Sequence, residues 1–244
     1  AEFSPSENFI QNAACPAYLA YESKRAGVKR FIYASSCSVY GYTVDELYDE
    51  SAPTTCGYPY GISKLQGENG VIQLVDKNFS GISLRQGTVC GYSDRMRFDL
   101  VVNTMFKNAI TLGEITVNNP SIWRPIYHIQ DACSAFIRAI QAPDNISGIF
   151  NVASDNYTLG QIGDIVSAEM SKNLKKEIKM HINDMQDFRN YKVSIQHAKL
   201  TLGFTPIYTV KDIIHDLFQK TANLTNLEDE KFYNIKVFKS LGKI

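Results

Sequence analysis

The residues best suited to chemistry are Tyr60-Gly61-Ile62-Ser63-Lys64, a Y-x-x-x-K in a stretch that reads as helix. Side chains four apart on a helix share a face, about 5–6 Å from one another, which brings the lysine ammonium to the phenol oxygen. A free tyrosine has a pKa of about 10 and is a poor base at neutral pH; a neighbouring cation favours the phenolate. Such a pair can move a proton to or from a sugar or alcohol hydroxyl. Alone, the spacing also arises by chance on solvated helices. Here it follows Phe31-Ile32-Tyr33-Ala34-Ser35-Ser36-Cys37-Ser38-Val39-Tyr40-Gly41, an apolar strand that delivers a serine cluster at its C-terminal end. Open α/β sheets bind ligands outside those carboxyl ends. A serine there can bridge a substrate hydroxyl and the tyrosine, and strand, loop and Y-x-x-x-K together are far more specific than either part.

The elements that must position these residues are legible in outline. Residues 6–26 read as a helix, stopped at Ala26-Gly27 and interrupted by Pro16, which predicts a kink or a helix start. Residues 28–34 read as a buried parallel strand and 35–59 as a long functional loop. Residues 60–77 follow as a helix despite Gly67 and Gly70, each costing about 1 kcal/mol relative to Ala. Strands are predicted at 81–86 and 149–152, and helices at 99–112, 132–141 with Asp131 as N-cap, 158–171 and 207–221. Lys172–Lys179 reads as a solvated face. Helices alternating with short buried strands give an α/β class with a parallel sheet.

Composition narrows the function. The 244 residues carry 25 basic and 25 acidic side chains, so no net charge argues for a nucleic-acid or anionic-membrane surface. No apolar run approaches the ~20 residues that span a bilayer. Five scattered cysteines without C-x-x-C spacing suit a reducing, cytoplasmic compartment. His128, His181, His197 and His215 show no metal-ligand spacing, so no metal is expected. Cys37 reads as a small buried residue rather than a nucleophile, and His128 as a structural hydrogen-bonding residue.

In order and spacing these motifs resemble the extended short-chain dehydrogenase/reductases, in particular the NAD-dependent nucleotide-sugar epimerase/dehydratase group typified by UDP-glucose 4-epimerase. The resemblance rests on Asn12 to Gly27 followed by Val28 to Ser36; on Val39-Tyr40-Gly41; on Tyr58 to Lys64; on Leu84-Arg85 through Gly91; on Arg124-Pro125 with His128 and Asp131; and on Leu202 to Pro206. It implies a Rossmann-like parallel sheet with a small mixed α/β substrate lobe. Residues 1–90 and 126–155 would form the C-terminal part of the dinucleotide-binding domain, and 91–125 and 156–244 the lobe. It implies Tyr60 as catalytic base and acid, Lys64 as its activator and a ribose contact, and Ser36 as the hydroxyl on the reacting oxygen. Ser35 would line the nicotinamide side. Arg124 would meet a substrate pyrophosphate, with Thr88 and Asn103 as weaker substrate contacts whose simpler reading is capping or solvation. The implied cofactor is NAD, with NADP not excluded; the implied partner is a nucleotide-diphosphate sugar, and the implied assembly a homodimer.

Cys37 and Ser38 stand where the sugar 4,6-dehydratases carry an Asp-Glu pair, which disfavours dehydratase chemistry and leaves a 4-epimerase acting through a 4-keto intermediate. A 4-keto-sugar reductase using the same Tyr60 and Lys64 is the alternative. Near Asp184 the family places a second phosphate-binding arginine; Arg189 is the nearby substitute. No G-x-x-G-x-x-G occurs in these residues. By motif order the chain starts just after the family's fourth strand, about 90 residues or three βα units of about 30 each into the pattern. That opens a third expectation: a non-catalytic fragment or interaction module that lacks the cofactor cradle, exposes the 28–34 strand as an aggregation-prone edge and binds NAD weakly.

Overall fold

The computed structural model describes residues 4–184, 189–222, 224 and 226–242. In chain order the elements are α1 (Pro5–Phe9), a π-helical turn (Ile10–Ala14), α2 (Cys15–Arg25), β1 (Arg30–Ser36), a 3₁₀ turn (Cys37–Tyr40), β2 (Tyr42–Tyr48), α3 (Pro59–Ile72), β3 (Ser80–Gln86) and β4 (Thr88–Cys90). Then come α4 (Val101–Thr111), β5 (Glu114–Asn118), β6 (Trp123–His128), α5 (Ile129–Gln141), β7 (Gly148–Val152), β8 (Asp155–Thr158) and α6 (Leu159–Leu174). The chain closes with β9 (Lys179–Asn183), β10 (Asn190–Val193), α7 (Gln196–Leu202), α8 (Val210–Thr221), a 3₁₀ turn (Glu230–Phe232) and α9 (Asn234–Ser240).

These elements gather into two compact units, Ala1–Gly87 with Ala132–Ala153 and Phe188–Pro206, and Thr88–Asp131 with Ser154–Asp187 and Ile207–Ile244. Residues 188–206, assigned to the lobe from sequence, group with the first unit because β10 pairs in parallel with β2.

The first unit is built on a parallel sheet of order β1-β3-β7, as the α/β expectation required. The strands are short and apolar: Ile82, Leu84, Phe150 and Val152 are fully buried. Arg30, at the start of β1, donates to the carbonyls of Ala139, Ile140, Ala142 and Pro143, tying the strand to the C-terminal end of α5. The predicted long loop contains more structure than expected. Ser35 and Ser36 extend β1, and Tyr42–Tyr48 is a strand whose aromatic and β-branched content was masked by its polar flanks. Gly67, which costs helix propensity, marks a close approach. A Cβ there would overlap the Asn12 carbonyl and the Tyr33 phenol, so only glycine lets α3 lie this near the π turn.

The second unit is mixed. β4, β6 and β8 form a sheet with β4–β6 parallel and β6–β8 antiparallel, and β5 pairs in parallel with β9. Its core joins Phe106, Ile115, Ile126, Ile162, Ile213 and Phe232. Capping boxes at Thr158–Gln161 and Thr209–Asp212 start α6 and α8. The 172–179 stretch is not a uniform solvated face: Lys175 ends α6 in the left-handed region, Ile178 is buried, and Lys179 opens β9. Asp131 is not an N-cap. It lies in the first turn of α5, almost wholly buried, accepting from the Ser154 hydroxyl (2.6 Å) and the backbone N–H groups of Ile207 (3.0 Å) and Tyr208 (3.2 Å).

Candidate active site

Helix α3 carries the Tyr–Lys pair, and its start is well defined. Tyr58 is extended at the N-cap, and Pro59 occupies the first turn, where its missing N–H costs nothing. The Tyr58 hydroxyl donates to the Ser38 carbonyl (2.8 Å), so the helix begins pinned to the serine turn after β1. Burial, followed by the charge of Tyr191, pushes the Tyr58 phenol well above its ordinary value, which keeps it a neutral donor. On the other side, the Ser38 and Tyr191 hydroxyls meet at 3.2 Å.

Tyr60 and Lys64 are both half-buried. The Lys64 ammonium donates to the Ala34 carbonyl of β1 (2.9 Å) and lies 5.9 Å from the Tyr60 ring centroid. Desolvation lowers its pKa to about 8. Ser35 is buried, and its hydroxyl has no hydrogen-bond partner among the described residues. The Ser36 hydroxyl accepts from the Ser38 backbone N–H (3.2 Å), capping the 3₁₀ turn. A hydroxyl has one donor and two acceptor lone pairs, so that cap uses one acceptor site. Beside Lys64 runs a largely apolar groove of about 490 Å³ lined by Leu19, Phe31, Ile32 and Ala34, among others.

Below the pair lies a buried ion pair that sequence reading did not single out. Glu68, one turn beyond Lys64, is fully buried and accepts from Arg85 Nη2 (2.6 Å), Arg85 Nε (3.1 Å) and Ser83 Oγ (3.0 Å). Arg85 Nη1 donates to the Tyr40 hydroxyl, which donates to Asn151 Oδ1, both at 2.8 Å. The network bolts the Tyr–Lys helix to β3. A signal existed: Arg85 interrupts an apolar strand, and Glu68 shares the Tyr60–Lys64 face of α3. Cys37 is buried with its thiol on the Arg85 carbonyl, and burial pushes its pKa far up, so it is a packing residue.

Thus the first unit brings together Ser35, Ser36, Tyr60 and Lys64. Arg189 belongs to the same unit, is exposed, and lies close enough to Tyr58 to act on its phenol electrostatically. Thr88, Asn103 and Arg124 belong to the second unit. Thr88 opens β4, opposite Ile126. Arg124 is buried on β6 and donates to the Trp123 carbonyl (2.8 Å). Asn103 is buried, and its amide holds Gly91, accepting from the Gly91 N–H (3.1 Å) and donating to its carbonyl (3.4 Å). His128 accepts from the Gln130 N–H at Nδ1 and stacks on Tyr208, a structural arrangement. Among the described residues, no cluster could hold a metal ion and no helix is long and apolar enough to cross a membrane.

A Tyr-x-x-x-Lys helix set against the carboxyl end of a parallel sheet, with serines at the strand end, defines an α/β protein that groups acid–base side chains at one strand end. The profile of the NAD-dependent epimerase/dehydratase family matches residues 1–153, and the chain belongs to that family. It is similar to the UDP-glucose 4-epimerase of Neisseria meningitidis serogroup C, 22% identical over 246 residues, covering 93% of this chain and 73% of that one. Among solved structures it resembles the ADP-L-glycero-D-manno-heptose-6-epimerase of Helicobacter pylori, with a TM-score of 0.75 and 22% identity. That match covers 87% of this chain and 66% of the other, so the chain spans just under two thirds of that protein. The UDP-glucuronic acid 4-epimerase of Bacillus cereus, solved with UDP-glucuronic acid and NAD, gives a TM-score of 0.72 at 22% identity, covering 85% and 66%. These structural likenesses show the fold.

Proposed function

We propose that the protein is an NAD-dependent nucleotide-sugar 4-epimerase, with the first unit as the cofactor half and the second as the substrate lobe. The observation that carries this reading is the Tyr60–Lys64 pair beside the Ser35–Ser36 strand end. The residues fit the nicotinamide end of a dinucleotide: Lys64 offers a cation to ribose hydroxyls, and Ser35 offers a buried hydroxyl with no other partner among the described residues. NAD held there would supply the redox chemistry, taking up hydride from the sugar carbon and returning it to the opposite face.

The chain's own residues handle the proton. Tyr60 takes it from the sugar 4-hydroxyl as the carbon is oxidised and gives it back on re-reduction. The Lys64 ammonium favours the phenolate. Ser36 holds the reacting oxygen in line by a hydrogen bond. Arg124, on the second unit, is assigned to the substrate pyrophosphate, where guanidinium and phosphate match in charge and geometry, and Thr88 to the substrate at the start of β4; Arg189, on the first unit, is a separate candidate for a substrate phosphate. The absence of a carboxylic acid at Cys37 and Ser38 supports epimerisation over dehydration.

Incubation with NAD and UDP-glucose is expected to yield the 4-epimer, resolved by chromatography, with no net change in NADH absorbance. Stoichiometric consumption of NAD(P)H on a 4-keto sugar would instead establish the reductase. A pH dependence follows from Lys64. Its proton leaves as pH rises through about 8, the phenolate loses its cation, and kcat/KM falls on an alkaline limb near that value. Over the same range Lys64 contributes rising stability, because the unfolded chain, with a lysine of about 10.5, still binds the proton that the folded state has lost. A flat profile through this range, with folding intact, would remove Lys64 from the mechanism.

A further inference from the structure

Pro16 is a helix blemish in sequence, and its effect reaches the site. Having no N–H, it withdraws the α-helical donor from the carbonyl four residues back, that of Asn12. Asn12 lies in the π turn Ile10–Ala14, and its carbonyl accepts the Tyr33 hydroxyl at 2.5 Å. Tyr33 is 4% exposed on β1. Its ring centroid lies 5.3 Å from the Lys64 ammonium, inside cation–π reach and nearer than the 5.9 Å to the Tyr60 ring. The next residue, Ala34, supplies the carbonyl that Lys64 bonds. Gly67 keeps α3 clear of both the Tyr33 phenol and the Asn12 carbonyl. Burial, then the charges of Tyr60 and Glu68, raise the Tyr33 phenol, which leaves it a neutral donor.

We propose that Tyr33 is a positioning residue for Lys64: its ring backs the ammonium, and the Asn12 carbonyl released by Pro16 fixes the ring. The functional meaning rests on Tyr60 and Lys64 being the reacting pair; the physical link between Tyr33 and Lys64 does not.

The test uses the full chain with Tyr33→Phe, which keeps the ring and loses the tether, Tyr33→Leu, which loses both, and Val71→Ala. Val71 is buried in the same small cluster as Tyr33 and Ala20, so its variant loosens packing alone. Lys64 acetylation by acetic anhydride at near-neutral pH, read by peptide mass spectrometry, is expected to be about five-fold faster in Tyr33→Leu, intermediate in Tyr33→Phe and unchanged in Val71→Ala. In parallel, the acid limb of the epimerisation profile moves to higher pH in the same order, with KM for the nucleotide sugar steady. Equal protection of Lys64 in folded wild type and both Tyr33 variants overturns the proposal. So does an equal effect of Val71→Ala. Should the wild type fail to turn over nucleotide sugars, the epimerase reading falls, while the acetylation pattern still decides whether Tyr33 holds Lys64.

Discussion

Tyr60→Phe is expected to lower epimerisation by about 10²–10⁴-fold, the range supplied by a positioned proton-transfer group. The substitution removes one oxygen from a half-buried ring on the first turn of α3. The helix start does not depend on that oxygen: Pro59 fixes its first φ, and the Tyr58 hydroxyl ties it to Ser38. The loss therefore falls on kcat, with KM for the nucleotide sugar little changed, the signature of an interaction made in the transition state. Product formation from UDP-glucose, followed by chromatography, measures it, and an unchanged circular dichroism spectrum shows that the fold is kept. Turnover within a few-fold of wild type would remove Tyr60 from the proton path and leave the serine cluster to be explained another way.

The second large effect concerns stability. Glu68→Gln is expected to lower the free energy of unfolding by about 3–5 kcal/mol, because it strands the Arg85 charge in the interior. Arg85 is only 3% exposed, and Glu68 supplies its one carboxylate partner among the described residues. A surface pair would be worth about 0–1 kcal/mol, so the size of the change reads directly on burial. The double variant Glu68→Leu with Arg85→Met should recover most of the loss, since burying two apolar side chains avoids both desolvation penalties. Urea unfolding of the wild type and the two variants, compared by midpoint at constant slope, decides the point. A loss below about 1 kcal/mol for Glu68→Gln would mean that water reaches the pair.

Both effects lie on one helix, yet they were unequally legible. The Tyr60–Lys64 relation was readable because it depends only on the helical period. The strand before it was readable because β1, β3 and β7 are short apolar runs. Glu68 and Arg85 meet across seventeen positions, and only the packing of α3 on β3 makes them a pair. β2 went unread because Ser, Thr, Gly and Pro around it look like a loop. β9 is exposed at every position, so no burial pattern marks it, and it is held by its pairing with β5. Asp131 was recognisable as important at the start of a helix. Its partners, 23 to 77 residues away, turn it from a cap into a junction of three segments. Asn103 has the chemistry of a ligand contact, and only the structure reveals that its amide also holds the Gly91 backbone.

The threading of the two units bears on how the chain can be made. The first unit is not finished when β7 is in place: Asn190 exchanges hydrogen bonds with Thr43, 147 residues earlier. The second needs α8, beyond residue 209, to complete its core. During synthesis the first unit cannot close before Asn190 has left the ribosome, nor the second before α8 has, and β2 must wait for a partner translated long afterwards. Contacts of such separation carry a large loop-closure cost before they return any stabilisation. Folding should therefore be slow, with β2 a strand that nascent-chain chaperones would find exposed.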